Sequence, residues 1–298
     1  MLDFIRIGCA VPPVTVGDAQ KNTQDVCEKI RQADDQGCDV VVFPELALTG
    51  YTCADLFFQE TLLSSAVAGI EEILRHSARH PAVTIAVGVP LVIAGQMYNC
   101  GAVISAGVLC GIVPKTYLPN YSEFYERRWF SSSEDLPVNR VSAGELGLDG
   151  DYEIPVGRDL LFRIGDGTLL GVEICEDLWV ADTPSTRLAL GGATVILNPS
   201  ASDEVVCKDD YRRSLVAMTS GRLACAYLYA DAGWGESSTD LIYTGHSIIA
   251  EHGSNVQRIK LKDSSTNGGY AEIRLETRNH EHIAEIKASL AEQGYNVM

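Results

Sequence analysis

The feature that most constrains the fold of this chain is a regular alternation between short apolar runs and helical patterns. Apolar runs at residues 4–11, 38–43 and 83–89 are typical of buried strands. Helical patterns at 22–36 and 60–79 separate these runs. Strands that alternate with helices build layered α/β proteins. The first third of the chain therefore predicts a sheet that is covered by helices.

Later segments continue this pattern and add a hairpin. Two strand-like runs at 99–105 and 108–113 are joined by Ala106-Gly107, which predicts a tight turn. Further strands are predicted at 160–164, 168–174, 194–197, 226–229, 247–250 and 271–275, with a helix at 207–223. Because neither a linker nor an internal repeat interrupts the pattern, we expect one α/β domain over residues 1–280. A helical tail is predicted over 281–298.

Composition and charge exclude several classes of function. The chain has 298 residues, of which 46% are hydrophobic, so it can bury a large core. A formal net charge of −17 disfavours nucleic acid and anionic membrane surfaces as partners. The longest apolar stretches, 82–95 and 101–114, are interrupted by Gly or Pro. Neither a signal peptide nor a membrane span is therefore predicted.

Nine cysteines are an odd number, and no two of them form a C-x-x-C pair. This usage favours a reducing compartment, so we expect a cytoplasmic protein without a metal site. Most of the cysteines lie inside apolar runs, as buried structural thiols do. Cys175 differs, because the apolar run 168–174 ends at its thiol and Glu176 and Asp177 follow at once. A thiol at such a strand-to-turn bend is a candidate nucleophile.

A cysteine nucleophile needs a group that accepts its proton. Among the six histidines only His246 lies at the start of a predicted strand, and no nearby Asn or Asp marks it as an oriented base. A cysteine–histidine enzyme is therefore the less favoured alternative. The motifs G-x-S-x-G, G-x-G-x-x-G, H-E-x-x-H and the P-loop are absent from the sequence. A carboxylate and an amine remain as the groups that could activate the thiol.

Glu45 and Lys115 also occur where apolar runs end. A carboxylate delivered to an apolar opening can act as a general base, and an ammonium can lower a thiol pKa or stabilise an oxyanion. Taken singly, Glu45 is more typical of a solvated cap and Lys115 of a charge that protects a sheet edge. Three such endpoints, with Cys175 as the third, favour one shared site.

Three sequence blocks resemble the Glu-Lys-Cys triad of the nitrilase (carbon–nitrogen hydrolase) superfamily. They are Phe43-Pro-Glu45-Leu-x-Leu-x-Gly-Tyr51, Lys115-x-Tyr-Leu-Pro and Glu173-Ile-Cys175-Glu-Asp. The resemblance implies a four-layer αββα sandwich made by a single domain. It also implies a homo-oligomer, at least a dimer, that pairs its helical faces.

Further blocks resemble one branch of that superfamily, the glutamine-hydrolysing domain of glutamine-dependent NAD synthetases. These blocks are the segment 118–130, Cys175-Glu-Asp-x-Trp179 and Asn198-Pro-Ser200-Ala-Ser202. The resemblance implies that Cys175 attacks the side-chain amide of glutamine, with Glu45 as proton acceptor and Lys115 on the oxyanion. Glu123 matches the second glutamate, which orients the lysine.

Substrate-binding residues also follow from this resemblance. Free-standing amidases tend to carry an aromatic residue directly after the nucleophile, whereas this chain has Glu176. A carboxylate there suits a substrate with an α-ammonium group, to which it can form a charge-assisted hydrogen bond. The other predicted substrate-binding residues are Tyr51, Tyr121, Phe124, Trp179, Ser200 and Ser202, and of the two serines Ser202 is favoured.

One departure from the branch concerns cofactors. The S-G-G-x-D-S loop that binds ATP in the synthetase domain is absent from this sequence. We therefore expect no cofactor on this chain, and ATP, Mg²⁺ and deamido-NAD on a synthetase domain or partner subunit. Two alternatives stay open: a stand-alone amidase or N-carbamoyl hydrolase, and a non-catalytic scaffold. Glu176 and the segment 118–130 oppose the first alternative, and the intact triad opposes the second.

Overall fold

The computed structural model describes residues 5–165, 167–237, 241–262 and 270–276, together with residues 284, 287, 288 and 291. The last four are helical, and the rest of the predicted tail at 281–298 lies outside the described residues. None of the helices in the described part of the chain combines the length and the apolar character that crossing a membrane requires.

The first sheet confirms the predicted alternation and the predicted hairpin. Its strands are β1 Ile7–Cys9, β2 Val40–Val42, β3 Thr84–Ile93, β4 Gln96–Ser105 and β5 Val108–Pro114, in spatial order β1-β2-β3-β4-β5. The first three strands are parallel, and β3, β4 and β5 are antiparallel to one another in turn. Strand β1 is shorter than the predicted run at 4–11.

The second half of the chain forms a small hairpin and a larger sheet. The hairpin, which the sequence did not predict, pairs β6 Arg140–Ser142 with β7 Glu153–Pro155. The seven strands of the larger sheet are β8 Leu161–Ile164, β9 Thr168–Val172, β10 Val195–Ser200, β11 Ala226–Asp231, β12 Ile248–Glu251, β13 Ser254–Lys262 and β14 Tyr270–Glu276. Strands β9, β10 and β11 are parallel. The six strands predicted in this region are confirmed, and β13 was not predicted.

In the described ranges, five α-helices accompany the sheets. They are α1 Ala19–Asp35, α2 Glu60–Ser77, α3 Ala143–Leu146, α4 Pro184–Leu190 and α5 Lys208–Leu223. Helix α1 begins where the Asp18 carboxylate accepts the Lys21 N–H, and its buried stripe includes Val26, Ile30 and Ala33. Helix α4 was not predicted. It is short and begins at a proline, which suits the first position of a helix.

Three apolar cores separate four layers. One core lies between α1 and α2 and the first sheet, and includes Ile30 and Ile70. A second lies between the two sheets, where Val42 packs in the same cluster as Leu197. A third lies between the second sheet and helices α4 and α5, and includes Val216. The predicted αββα sandwich is therefore confirmed.

The sandwich places three strand ends at one edge. Glu45 follows β2, Lys115 follows β5 and Cys175 follows β9. The Glu45 N–H donates to the Ser200 carbonyl at the end of β10 at 3.2 Å, which ties the first sheet to the second at this edge. The candidate site therefore lies where the two sheets meet.

Candidate active site

Glu45, Lys115 and Cys175 lie together in one buried site. Lys115 Nζ is 2.6 Å from Glu45 Oε1, and both side chains are fully buried. Cys175 is 7% exposed. Its thiol is close enough to both charges for Glu45 to raise its pKa and for Lys115 to lower it. The structure thus brings together the three strand-end residues that the sequence singled out.

The carboxylate of Glu45 has one held oxygen and one unpartnered oxygen. Oε1 accepts hydrogen bonds from Asn99 Nδ2 and Lys115 Nζ, both at 2.6 Å. Oε2 is buried and has no hydrogen-bond partner among the described residues. Gly88 on β3 lets the turn around Glu45 lie against that strand, because a Cβ on Gly88 would be 2.2 Å from the backbone N of Leu46. Oε2 is the atom that can accept a proton.

Lys115 is a buried cation between two carboxylates. Besides Glu45, its Nζ contacts Glu126 Oε1 at 2.7 Å. Burial by itself would lower the pKa of Lys115, but the charges of Glu126 and Glu45 outweigh burial and hold the pKa well above its usual value. Lys115 therefore keeps its charge and can stabilise a developing oxyanion.

The second glutamate of the site is Glu126, and the prediction of Glu123 was wrong. Glu123 is exposed, whereas Glu126 is 1% exposed and its Oε1 also accepts the Tyr51 hydroxyl at 2.7 Å. A tight turn with Ser122 at φ +49° turns the chain just before Glu123. Burial raises the pKa of Glu126 to about 7, although Lys115 opposes that rise.

Cys175 lies at a strained turn. Its φ of +45° is in the left-handed region, which costs a non-glycine residue ~1–3 kcal/mol. Its N–H donates to Asn198 Oδ1 at 3.0 Å. Burial and the charge of Glu45 raise the pKa of the thiol well above its usual value, although Lys115, the Ser200 hydroxyl and the Ala201 N–H lower it. The resting thiol is therefore protonated, and its attack on a substrate requires a base.

Asp177 joins the nucleophile turn to the segment after Lys115. Its carboxylate accepts the backbone N–H groups of Tyr117 at 2.8 Å, Ile174 at 3.0 Å and Thr116 at 3.2 Å. Burial raises the pKa of Asp177 to about 8. Sequence reasoning did not include Asp177 among the site residues, although its position beside Glu176 was visible.

Glu176 and three aromatic residues line one side of the site. The Tyr121 hydroxyl donates to both oxygens of Glu176 at 3.0 Å. The Phe124 ring makes edge contacts with Tyr51 at 6.4 Å and with Tyr121 at 6.0 Å between centroids. Burial raises the pKa of Glu176, and the Tyr121 hydrogen bond counters part of the rise. These four predicted substrate-binding residues form one continuous wall.

The two predicted serines have different surroundings. The Ser200 hydroxyl lies beside the Cys175 thiol. Ser202 is buried, and its hydroxyl accepts a hydrogen bond from Arg212 Nη2 at 3.3 Å while its N–H donates to Asp231 Oδ1 at 2.8 Å. Ser200 therefore lies beside the reacting sulfur, and Ser202 is held by Arg212 and Asp231.

Lys208 is a site residue that sequence reasoning missed. Its Nζ lies 5.5 Å from the centroid of the Trp179 ring and 5.9 Å from that of Phe124, and it forms an ion pair with Asp203. The Trp179 ring also stacks on Tyr211 at 5.5 Å. A lysine at the start of α5 has no distinctive pattern, so no sequence signal could have found it.

The alternatives to this site lack support in the described residues. The His246 ring lies between Arg212 at 3.0 Å and Arg213 at 3.1 Å. All nine cysteine thiols are free. Within the described ranges, no group of three or more His, Cys, Asp or Glu side chains could hold a metal ion. The geometry therefore favours a carboxylate rather than His246 as the base for Cys175.

Comparison with known proteins places these residues in a family. Residues 6–279 match the family described as carbon-nitrogen hydrolase. The glutamine-dependent NAD(+) synthetase of Mycobacterium leprae is 40% identical over 252 residues, which are 84% of this chain and 36% of that protein. The protein of the same name from Thermotoga maritima is 31% identical over 253 residues, which are 85% of this chain and 39% of that protein.

Solved structures agree with the sequence comparison. A glutamine-dependent NAD(+) synthetase from Cytophaga hutchinsonii superposes with a TM-score of 0.73 at 31% identity, over 92% of this chain and 43% of that one. An amidase from a Nesterenkonia species shares the fold, with a TM-score of 0.66 at 15% identity, over 98% and 96% of the two chains. This chain spans 36%, 39% and 43% of the length of these three synthetases. It belongs to the carbon–nitrogen hydrolase family.

Proposed function

We propose that this chain is a glutaminase, which hydrolyses the side-chain amide of glutamine to glutamate and ammonia. The observation that carries the proposal is the carboxylate of Glu176, which directly follows the nucleophile and faces the aromatic wall beside a buried Glu45–Lys115–Cys175 site. The relatives from Mycobacterium leprae and Thermotoga maritima are both described as glutamine-dependent, which supports the same substrate.

The first half of the reaction forms a thioester. Cys175 Sγ attacks the amide carbon while its proton passes to Glu45 Oε2, the unpartnered oxygen. Lys115 and the backbone N–H of Glu176 stabilise the oxyanion, with about 3–4 kcal/mol for each well-placed donor. Glu45 then gives its proton to the leaving nitrogen. The C–N bond breaks and ammonia departs.

The second half releases glutamate. Glu45 accepts a proton from a water molecule, which attacks the thioester carbon. The C–S bond breaks, and the thiolate of Cys175 takes the proton from Glu45 and becomes a thiol again. One amide bond and one water molecule are consumed, and the enzyme returns to its starting state.

Recognition of the amino-acid end uses two opposite charges. Glu176 binds the α-ammonium group by a charge-assisted hydrogen bond. Lys208, held over the Phe124 and Trp179 rings, offers a cation for the α-carboxylate. Tyr121 already donates to Glu176, so its hydroxyl can stay at the edge of the same subsite. A substrate without the ammonium group would leave the half-buried charge of Glu176 with the Tyr121 hydrogen bond alone and without a cation from the substrate.

The wider role follows from the relatives and is part of the proposal. The ammonia would serve an ATP-dependent conversion of deamido-NAD to NAD on a synthetase domain or partner subunit, which would hold ATP and Mg²⁺. We place this activity in the cytoplasm and in a homo-oligomer of at least two copies.

One assay tests the proposal directly. Ammonia release is measured from glutamine, from α-ketoglutaramate and from N-carbamoyl-β-alanine, with the wild type and with Cys175→Ala. We expect release from glutamine above the other two compounds, and none from Cys175→Ala. A preference for a compound without an α-ammonium group would refute the glutaminase and favour an amidase or N-carbamoyl hydrolase. Equal release from both proteins would refute any hydrolysis by this site.

A further inference from the structure

A chain of hydrogen bonds runs through the second sheet behind Cys175. Its members are Glu173 just after β9, Asn198 on β10 and Tyr227 on β11. All three side chains are fully buried. No step of the proposed hydrolysis uses any of them.

The hydrogen bonds in this series have a fixed direction from donor to acceptor. Glu173 Oε2 accepts the Ser185 N–H at 2.7 Å, and Oε1 accepts the Tyr227 hydroxyl at 2.5 Å. The Tyr227 oxygen in turn accepts from Asn198 Nδ2 at 2.8 Å. The remaining end of that amide, Asn198 Oδ1, accepts the Cys175 N–H at 3.0 Å. Every polar atom in the series has a partner.

The carboxylate of Glu173 determines this direction. An ionised carboxylate can only accept hydrogen bonds, so the Tyr227 proton must point towards it. The Tyr227 oxygen is then free to accept, which turns the NH₂ group of Asn198 towards Tyr227 and its oxygen towards Cys175. Burial raises the pKa of Glu173, and the hydrogen bonds from Tyr227 and Ser185, which favour the accepting form, counter only part of that rise.

The end of the series is the backbone of the nucleophile. Cys175 has a left-handed φ of +45°, which a residue with a side chain keeps only when its surroundings hold it. The Asn198 side chain is the group that holds its N–H. We propose that Glu173, Tyr227 and Asn198 are positioning residues, which set the backbone of Cys175 and hence the direction of its thiol through the polarity of their hydrogen bonds.

Glu173→Gln is the sharpest test, because it changes polarity at constant shape. The new amide has one acceptor for two donors, Ser185 N–H and Tyr227 O–H. If its oxygen faces Ser185, its NH₂ group faces the Tyr227 oxygen, and the Tyr227 proton must then turn to Asn198. Asn198 would flip and present its NH₂ group to the Cys175 N–H, where the two donors repel each other.

Turnover is measured as ammonia release from glutamine, and this readout rests on the proposed function. We expect Glu173→Gln to lower kcat by about 10- to 100-fold with KM within about twofold, because small misplacements of a reacting atom have effects of this size. Tyr227→Phe breaks the series. The kcat of the double variant should therefore be less than about threefold below that of Tyr227→Phe alone. The reason is that the polarity change at residue 173 can no longer be passed on to Cys175. The proposal would be overturned if the fold-decreases in kcat of the two single variants multiply in the double variant. It would also be overturned if Glu173→Gln has the kcat of the wild type.

A second readout does not depend on the substrate. The rate at which iodoacetamide alkylates Cys175, followed by mass spectrometry of its peptide, should fall in Glu173→Gln and show the same non-multiplying pattern with Tyr227→Phe. If the wild type releases no ammonia from glutamine, the proposed function is wrong, but the alkylation rates still test the positioning role of Glu173, Tyr227 and Asn198. Unchanged alkylation rates would overturn the positioning role.

A double variant that reverses the polarity of the hydrogen bonds serves as the control for loss of folding. In Glu173→Gln with Asn198→Asp, the new amide donates to the Tyr227 oxygen, and Tyr227 donates to the new carboxylate. Its other oxygen still accepts the Cys175 N–H, and the net charge is that of the wild type. Circular dichroism and thermal melting report whether each variant folds. If Glu173→Gln does not fold, recovery of folding and alkylation in the reversed pair supports the proposal, and failure to recover overturns it.

Discussion

The buried polar groups around Glu45 and the Glu173–Tyr227–Asn198 series differ in how completely they are hydrogen-bonded. On the first-sheet side, Glu45 Oε2, Glu126 Oε2 and Asn99 Oδ1 are buried and have no partner among the described residues. On the second-sheet side, both oxygens of Glu173 and both ends of the Asn198 amide are bonded. Unpartnered buried acceptors cost stability, so a native protein retains them where they have a use.

This difference distinguishes groups that can take part in the reaction from groups that hold the nucleophile in place. The first-sheet side offers acceptors that can take and return a proton during hydrolysis. Glu173, Tyr227 and Asn198 have no such freedom, and their complete hydrogen bonding fixes the strained turn that carries Cys175. Substitutions on the first-sheet side should therefore change rates more than stability. Those in the Glu173–Tyr227–Asn198 series should act on rates through geometry.

The largest effect is expected at Glu45. Glu45→Gln keeps an oxygen for Asn99 and Lys115 but replaces the proton-accepting Oε2 with an NH₂ group. We expect kcat to fall by about 10³- to 10⁴-fold, at the upper end of what general acid–base catalysis contributes, with KM within about twofold. Steady-state ammonia release measures the change. A loss below tenfold would show that Glu45 is not the base.

Glu126 and Glu123 provide a matched pair for the next prediction. Glu126→Gln weakens a buried ion pair with Lys115 and should lower kcat by about 10²-fold, because Lys115 no longer has its fixed place at the oxyanion. Glu123→Gln removes an exposed charge and should leave kcat and stability unchanged. The opposite result would return the second-glutamate role to Glu123.

The same pair shows where sequence reasoning succeeds and where it stops. Glu45, Lys115 and Cys175 were predictable because each follows a buried strand, and an apolar run reveals both the strand and its end. Glu126 lies in an irregular segment, where the direction of a side chain depends on single turns such as that at Ser122. Lys208 is placed by tertiary contacts that leave no local pattern. The position of Asp177 beside Glu176 was visible, but its contacts with Thr116 and Tyr117 were not.

The layers of the fold were also predictable from apolar runs. The elements that the prediction omitted lack such runs. Strands β2, β3, β10 and β11 each contain an apolar run that lies buried in the sandwich. The β6–β7 hairpin and α4 are short and mix polar with apolar residues, so neither shows a clear period. Periodicity predicts elements that bury one long face, and does not predict elements that only cover an edge.

A smaller effect is expected at the substrate wall. Glu176→Gln keeps the shape and removes the charge that pairs with the α-ammonium of glutamine. We expect KM for glutamine to rise by about 10- to 100-fold, since a hydrogen bond between charged groups contributes about 1.5–3 kcal/mol. Turnover of α-ketoglutaramate, which lacks the ammonium group, should not fall. An equal rise of KM for both compounds would show that Glu176 shapes the pocket without recognising the charge.

At Glu236 the expected effect is on stability alone. This carboxylate is fully buried and accepts the Thr52 N–H at 2.9 Å and the Tyr51 N–H, while its Oε2 has no partner among the described residues. Burial raises its pKa to about 7, from a value near 4.5 when the chain is unfolded. The folded state therefore holds the proton more tightly, so this group's contribution to stability is complete below about pH 4.5 and is lost as the pH rises through 7.

Glu236→Gln removes this titration and keeps an oxygen for the two N–H groups. At pH 5 we expect its free energy of unfolding to be close to that of the wild type. At pH 8 the variant should be more stable, by up to about 3 kcal/mol, because the wild type then holds a buried charge that the variant lacks. Urea unfolding at the two pH values measures the difference. A variant that is less stable than the wild type at pH 8 would show that the ionised carboxylate supports the turn at Tyr51, and would place Glu236 with the supporting groups rather than with the unpartnered acceptors.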